Sequence, residues 1–365
     1  MSNPRHMAFA VPGDITTVTG GYLYDRRLGE ALTAAGVTLC ALRLGDSFPH
    51  PTGADMDDAL AQLAALPPDC PALVDGLAYG ALDPARLGAV RAPLVALVHH
   101  PLALEPGLDA GMARRMAARE QANLALARHI VVTSPHIAQL LASEYGVDRA
   151  RISVAQPGFI APVQAARAPD APPLILSVGL LARRKGHDIL LRALAEIADL
   201  DWQAVIVGRA HEAATARARR AQRDGCGLAG RVRIAGEIPQ AALDELYRRA
   251  TVFALATRYE GYGIVFAEAM GHGLPIVTTR AGAVPETVPP EAGLLVPPED
   301  AHALAGALRR MLGDAPLHES CARAARAAAT RLPGWPESAA VVAAALFGAT
   351  TGGGAPRNGA TQTNG

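Results

Sequence analysis

Residues 174–198 read LILSVGLLARRKGHDILLRALAEIA, and this stretch decides the fold. An apolar run closes at Val178-Gly179, a short basic loop follows, and helical spacing starts near Gly186. Strand, loop and amphipathic helix in that order form the unit of a parallel sheet covered by helices. The unit recurs on both sides. Upstream, MAFAVP, TLCALRL, PALVDG, PLVALVHH and HIVVTS read as strands, with helices expected near Tyr22–Ala35, Asp57–Ala65 and Gly111–Ala127. Downstream, QAVIVG, VRIAGE, VFALA, PIVTT and GLLVP alternate with segments such as PQAALDELYRRA. The proline- and alanine-rich stretch 157–173 carries no period and separates the two sets. The reading is therefore α/β: two doubly wound domains, residues 1–160 and 174–332, facing across a cleft, with 161–173 as linker. A last helix, Pro336–Phe347, follows RLPGW, and the small polar tail 348–365 is expected to be disordered.

Composition narrows the function. A chain of 365 residues can bury two cores. Half the residues are hydrophobic and 34 basic side chains balance 34 acidic ones, which excludes a nucleic-acid surface and a disordered chain. Cys40, Cys70, Cys226 and Cys321 are scattered without C-x-x-C spacing, so we expect reduced thiols in a cytoplasmic chain. No apolar run approaches the roughly 20 residues that span a bilayer. The N-terminal apolar run ends at Pro12-Gly13 and reads as a first strand, not a signal-peptide core.

In open parallel sheets, ligands bind beyond the carboxyl ends of the strands. There Arg183, Arg184 and Lys185 cluster at a helix start, where the dipole disfavours cations. A bound anion such as phosphate would reverse that repulsion; a solvated basic loop is the plainer alternative. RYEGYGIVFAEAM (258–270) places Glu260 and Glu268 with seven residues between them. On one continuous helix they would lie roughly 80° apart. Gly261 and Gly263 break that helix, and the period begins only at Ile264. Glu260 then sits on a loop ahead of a helix N-terminus, able to accept sugar hydroxyls. Glu268 falls about a turn into the helix, within reach of a vicinal diol. Bracketed by Phe266, Ala267, Ala269 and Met270, it needs a partner if buried. The alternative makes Glu260 a capping acid and Glu268 an exposed helical residue.

Weaker signals surround these. Gly20-Gly21 in TVTGGYLYDRR could admit a phosphate or sugar, though the stretch is not G-x-G-x-x-G and double glycines are usually turns. His99 and His100 close a strand, either as functional groups or as hydrogen-bonded loop residues. Asp55-Met56-Asp57 has the D-x-D form of a metal site but runs into an amphipathic helix, where first-turn acids serve as caps. No metal is expected. ARARRAQR (216–223) reads as a solvated helix face, or as a peripheral contact with an anionic membrane.

The run RVRIAGEIPQAALDELYRRATVFALATRYEGYGIVFAEAMGHGLPIVTTRAGAVPETV (231–288) resembles glycosyltransferase family 4, retaining enzymes of the GT-B fold. The likeness is dense from Leu174 to Pro298 and looser upstream, where TGGYLYDRR, HHPL and VVTSPH carry it. It implies a hexosyltransferase moving a mannose- or glucose-type sugar from a UDP- or GDP-sugar to an oligosaccharide, lipid-linked or small-molecule acceptor. No cofactor is implied beyond that donor. By the resemblance Glu260 meets the donor sugar, Glu268 the ribose and Lys185 the diphosphate, with Gly208, Ile238, Tyr262, Gly261, Gly263 and Ile264 completing the donor side. Gly20, Gly21 and His99 line the sugar from the first domain, His100 being a rival for His99. Where many members carry an arginine this chain has Leu180, and Arg183 or Arg184 is left to supply the cation. Pro336–Phe347 is expected to cross back to the first domain. A nucleotide-sugar 2-epimerase and a non-catalytic nucleotide-sugar binder are the competing functions.

Overall fold

Strands buried on both faces must read as apolar runs, not as alternation. Such runs build two parallel sheets of six strands in a computed structural model that describes residues 5–105, 107–160, 169–210 and 213–348. The first sheet holds β1 (Arg5–Pro12), β2 (Val37–Leu44), β3 (Ala72–Asp75), β4 (Leu94–Val98), β5 (His129–Val132) and β6 (Ile152–Val154). Their spatial order is β2-β1-β3-β4-β5-β6. In β1, Met7 and Phe9 pack on one face while Ala8 and Ala10 pack on the other, so each side of the sheet has its own core. The sequence reading missed β6, whose three residues are too few to show a period. The helix Gly53–Ala64 starts four residues before the expected Asp57, because the Thr52 hydroxyl caps it by accepting the Asp55 N–H at 3.1 Å.

The second sheet comprises β7 (Leu174–Val178), β8 (Gln203–Val207), β9 (Val232–Gly236), β10 (Val252–Leu255), β11 (Ile276–Thr279) and β12 (Gly293–Val296). Its order, β12-β11-β10-β7-β8-β9, reverses direction between β7 and β10. The first sheet reverses between β1 and β3. Crevices open at such switch points, beyond the strand carboxyl ends.

The final helix, Trp335–Phe347, lies on the first domain: Ala339, Val342 and Leu346 join the core that holds Tyr24, Leu28 and Leu32 of helix Gly20–Ala34. Of the linker, 161–168 lie outside the described residues. Beyond them Asp170 makes a bidentate pair with Arg249 at 2.9 Å, which fastens the chain to the second domain. Of the expected disordered tail, 349–365 also lie outside the described residues. All four cysteines are free thiols. No helix among the described residues is long and apolar enough to cross a membrane.

One buried acid in the first core sets a testable pH dependence. Glu120 is 1% exposed and accepts the Leu102 N–H at 3.0 Å. Burial lifts its carboxyl to about 8, against the pull of that N–H and of the Tyr145 hydroxyl. Its folded pKa therefore exceeds the unfolded one. Stability held by the protonated form is complete below the ordinary carboxylate range and is lost as pH rises towards 8. The loss is about 1.4 kcal/mol per pH unit for one such group. Urea midpoints at pH 5 and pH 8 should differ less in Glu120→Gln than in the wild type; an equal difference refutes the assignment.

Candidate active site

Four loops meet where the carboxyl ends of the two sheets face each other. From the first sheet, the loop after β1 enters helix Gly20–Ala34, and the loop after β4 carries His99 and His100. From the second, the loop after β7 carries Arg183–Lys185, and the loop after β10 carries Thr257 to Gly263. The strands β7 and β10 are neighbours, so their loops must converge. Gly186 lets them touch. Its φ of 63° is left-handed, and a Cβ there would overlap the carbonyl of Ala256.

Arg183, Arg184 and Lys185 form one turn of 3-10 helix ahead of helix His187–Glu196. Lys185 Nζ donates to Glu260 Oε1 at 2.7 Å, and the Thr257 hydroxyl sits 3.0 Å from the same oxygen. Arg184 Nη1 lies 3.4 Å from Glu260 Oε2 and donates to the Tyr259 carbonyl at 3.1 Å. Glu260 is 4% exposed and Lys185 9%. Burial alone would raise the Glu260 carboxyl, but Lys185 and then Arg184 hold it below its ordinary value. Burial pulls the Lys185 ammonium below its usual range, and Glu260 opposes the pull. The cations crowded at the helix start thus find their counter-charge within the chain. Arg184, not Arg183, is the second cation turned to Glu260; Arg183 is exposed.

Gly263 precedes helix Ile264–Gly271, whose first amides lack intrahelical acceptors. Glu268 is half-buried in that helix and accepts the Tyr247 hydroxyl at 2.9 Å, the partner its apolar flanks demanded. Burial lifts its carboxyl to about 7, the Tyr247 hydroxyl opposing. Tyr262 is buried, its carbonyl accepting the Thr287 hydroxyl at 2.7 Å. Ile264 reaches across to pack on the first-domain core. Gly208 and Ile238 follow β8 and β9 at the same end of the sheet; Ile238 packs half-buried on the second core.

On the facing side, His99 Nε2 lies 3.1 Å from Asp25 and 3.4 Å from Asp75. Gly21 faces the His99 ring, and Gly20 opens the helix in free space. His100 Nε2 is 3.2 Å from Glu105, which also lies 3.8 Å from Arg184 Nε. Sequence reasoning missed Asp25, Asp75 and Glu105. Asp25 had a signal: it lies on the same buried stripe as Leu28 and Leu32, where an acid needs a reason.

The domains meet closely here. A Cβ on Gly261 would overlap the His99 carbonyl oxygen, so backbone approaches backbone across the cleft. Tyr259 inserts against the first core, its ring 6.0 Å from those of His100 and His136. Glu286 accepts the His136 N–H at 2.8 Å. The D-x-D acids stand apart. Asp55 bonds Ser47 beneath its own helix start, and exposed Asp57 pairs with Arg86 at 2.7 Å.

Comparison with known proteins follows the same lines. The family model for glycosyl transferases group 1 matches residues 163–328, and that for glycosyltransferase family 4 matches residues 26–160. The D-inositol 3-phosphate glycosyltransferase of Xylanimonas cellulosilytica is 33% identical over 66% of this chain and 61% of its own. A GDP-mannose-dependent monoacylated alpha-(1-6)-phosphatidylinositol monomannoside mannosyltransferase of Corynebacterium glutamicum is 31% identical over 40% of this chain and 39% of its own. The chain spans 61% of the first of these curated relatives and 39% of the second, about half their length. Among solved structures, a sucrose-phosphate synthase from Thermosynechococcus elongatus superimposes with a TM-score of 0.75 at 24% identity, covering 92% of this chain and 96% of that one. Anabaena HepE in complex with UDP and glucose gives 0.74 at 18% identity, covering 94% and 99%. Both likenesses are of fold.

Proposed function

The chain belongs to the group 1 glycosyltransferases of family 4, with their two-domain GT-B fold, and on that premise we propose that it transfers a hexose from a nucleoside-diphosphate sugar to an acceptor hydroxyl. The observation that carries the reading is the Lys185–Glu260–Arg184 cluster at the second switch point, facing His99 at the first. A departing nucleoside diphosphate develops negative charge on its β-phosphate. Lys185, Arg184 and the leading amides of helix Ile264–Gly271 form a preorganised counter-charge for it. Glu260 accepts hydroxyls of the donor sugar beside them, and Glu268, held by Tyr247, accepts the ribose diol. Anomeric configuration is retained by same-face attack, the departing phosphate oxygen taking the acceptor proton. No carboxylate pair astride the anomeric carbon is then required, as it is in glycoside hydrolysis. The acceptors named for the relatives, inositol phosphate and phosphatidylinositol mannoside, make polar polyols the first class to try.

The test is a panel of UDP- and GDP-hexoses read first by thermal shift. A donor at 100 times its Kd should add about 2.7 kcal/mol of apparent stability. Donor plus acceptor should then release nucleoside diphosphate, unaffected by EDTA and within twofold of wild type in Asp57→Ala. Stabilisation by a donor without transfer to any acceptor would point to a non-catalytic binder. Donor alone giving an epimerised sugar would point to a 2-epimerase.

A further inference from the structure

Two carboxylates are buried behind the cleft histidine. Asp25 is 0% exposed and Asp75 1%, yet among the described residues neither has a lysine or arginine partner. Asp75 Oδ1 accepts the Leu77 N–H at 2.8 Å, and its other oxygen turns to His99 Nε2 at 3.4 Å. Asp25 Oδ1 lies 3.1 Å from the same nitrogen, and its Oδ2 is buried without a partner. Two unpaired carboxylates this deep would be prohibitive. A neutral imidazole would offer them a single dipole. A protonated one supplies a full counter-charge, and one further proton held between the acids brings the trio to neutrality.

We propose that Asp25 and Asp75 are positioning residues that keep His99 an imidazolium and turn its Nδ1–H to the cleft, so that the first domain presents a fixed cation to the nucleotide-sugar. The inference rests on the transfer reading for its ligand and on the side-chain geometry for its charge. Nε2 is committed to the acids, Tyr24 meets the ring edge-on at 5.1 Å, and the Gly21 backbone faces the Cδ2 side, where an added Cβ would lie 3.6 Å away. His99 keeps 19% of its side chain exposed, and with Nε2 taken up by the acids we assign that opening to the Nδ1 edge. Among the described residues, the charged groups within ion-pair reach of the ring are Asp25 and Asp75. Tyr22 spends its hydroxyl on the Pro12 carbonyl at 2.8 Å, and the second domain meets His99 through uncharged Gly261 backbone. The balance agrees. Burial would lower the His99 pKa, but Asp25 and then Asp75 carry it up to about 10, while burial lifts Asp25 to about 7. A cation there completes a clamp: Lys185 and Arg184 below, His99 above, with the departing phosphate or a sugar oxygen between.

The experiment is a pH titration of the full chain labelled with 15N-histidine, the His99 ring assigned by its absence in His99→Gln. Both ring nitrogens should stay protonated through pH 8.5 in the wild type. In Asp25→Asn the midpoint should fall by two pH units or more, and the alkaline limb of donor turnover should fall with it. Asp75→Asn gives the same reading should Asp25→Asn not fold. A neutral His99 ring at pH 7 in the wild type overturns the proposal, as does a ring signal that responds to added Mg2+ or Zn2+ as a metal ligand would. A wild-type imidazolium in a chain that turns over no donor would uphold the charge assignment and count against the transfer reading instead.

Discussion

Glu260→Ala should lower transfer by at least about 10²–10³-fold and cost about 3–5 kcal/mol of stability. The two effects have one origin. Glu260 and Lys185 are both buried and joined at 2.7 Å, so deleting the acid leaves a buried ammonium without its counter-charge. Burial already holds Lys185 low, and Glu260 is the first group opposing that. Without it the lysine gives up its proton nearer neutrality, and the cation proposed for the diphosphate fails along with the proposed sugar contact. The folded Glu260 pKa is depressed, so its contribution is present above the ordinary carboxylate range and lost as pH falls through the folded value. Urea unfolding at pH 7 and nucleotide release from the donor read the two losses separately. The double variant Lys185→Met, Glu260→Leu should regain most of the stability, because apolar replacement of a buried pair is often neutral. It should regain none of the turnover. Full turnover in Glu260→Ala would end the case for this site.

The fold was legible because parallel strands covered on both faces leave an unmistakable trace, short apolar runs such as LILSV and QAVIV punctuated by glycine loops. Ile152–Val154 escaped because an edge strand of three residues with one buried side chain has no pattern to show. The site divided differently. Lys185, Arg184 and Glu260 announced themselves by breaking local rules, cations at a helix start and glycines after an acid. Asp25 and Asp75 broke one too, but theirs is visible only in three dimensions. Asp25 sits amid a helix and Asp75 caps the next one through Leu77, and either looks ordinary until His99, from a third element, arrives between them. Glu105 belongs to the same class, since its partners Arg184 and His100 come from opposite domains.

Gly261→Val should reduce kcat by about 10²-fold or more while leaving nucleotide affinity within a few-fold. The residue lies between Glu260 and the first domain, and any Cβ there would strike the His99 carbonyl. The φ of Gly261 is not left-handed, and the three atoms nearest an added Cβ all belong to His99 and His100 of the first domain. The proposed donor cluster of Lys185, Arg184, Glu260 and Glu268 is built within the second domain and should survive. The closed cleft should not. Tyr259 would be drawn from its seat against His100 and His136, and the Glu286 bond to the His136 N–H would stretch. His99 would then stand off from the sugar position proposed at Glu260. A shift of about 1 Å between such groups suffices for the rate loss. Small-angle scattering should show a larger radius of gyration in the variant, and nucleotide titration should show binding intact. Wild-type kcat in Gly261→Val would mean that this contact is not the closure that turnover requires. Lost nucleotide binding would mean that the valine had damaged the second domain's own loop, and Gly261→Ala would then be the variant to decide.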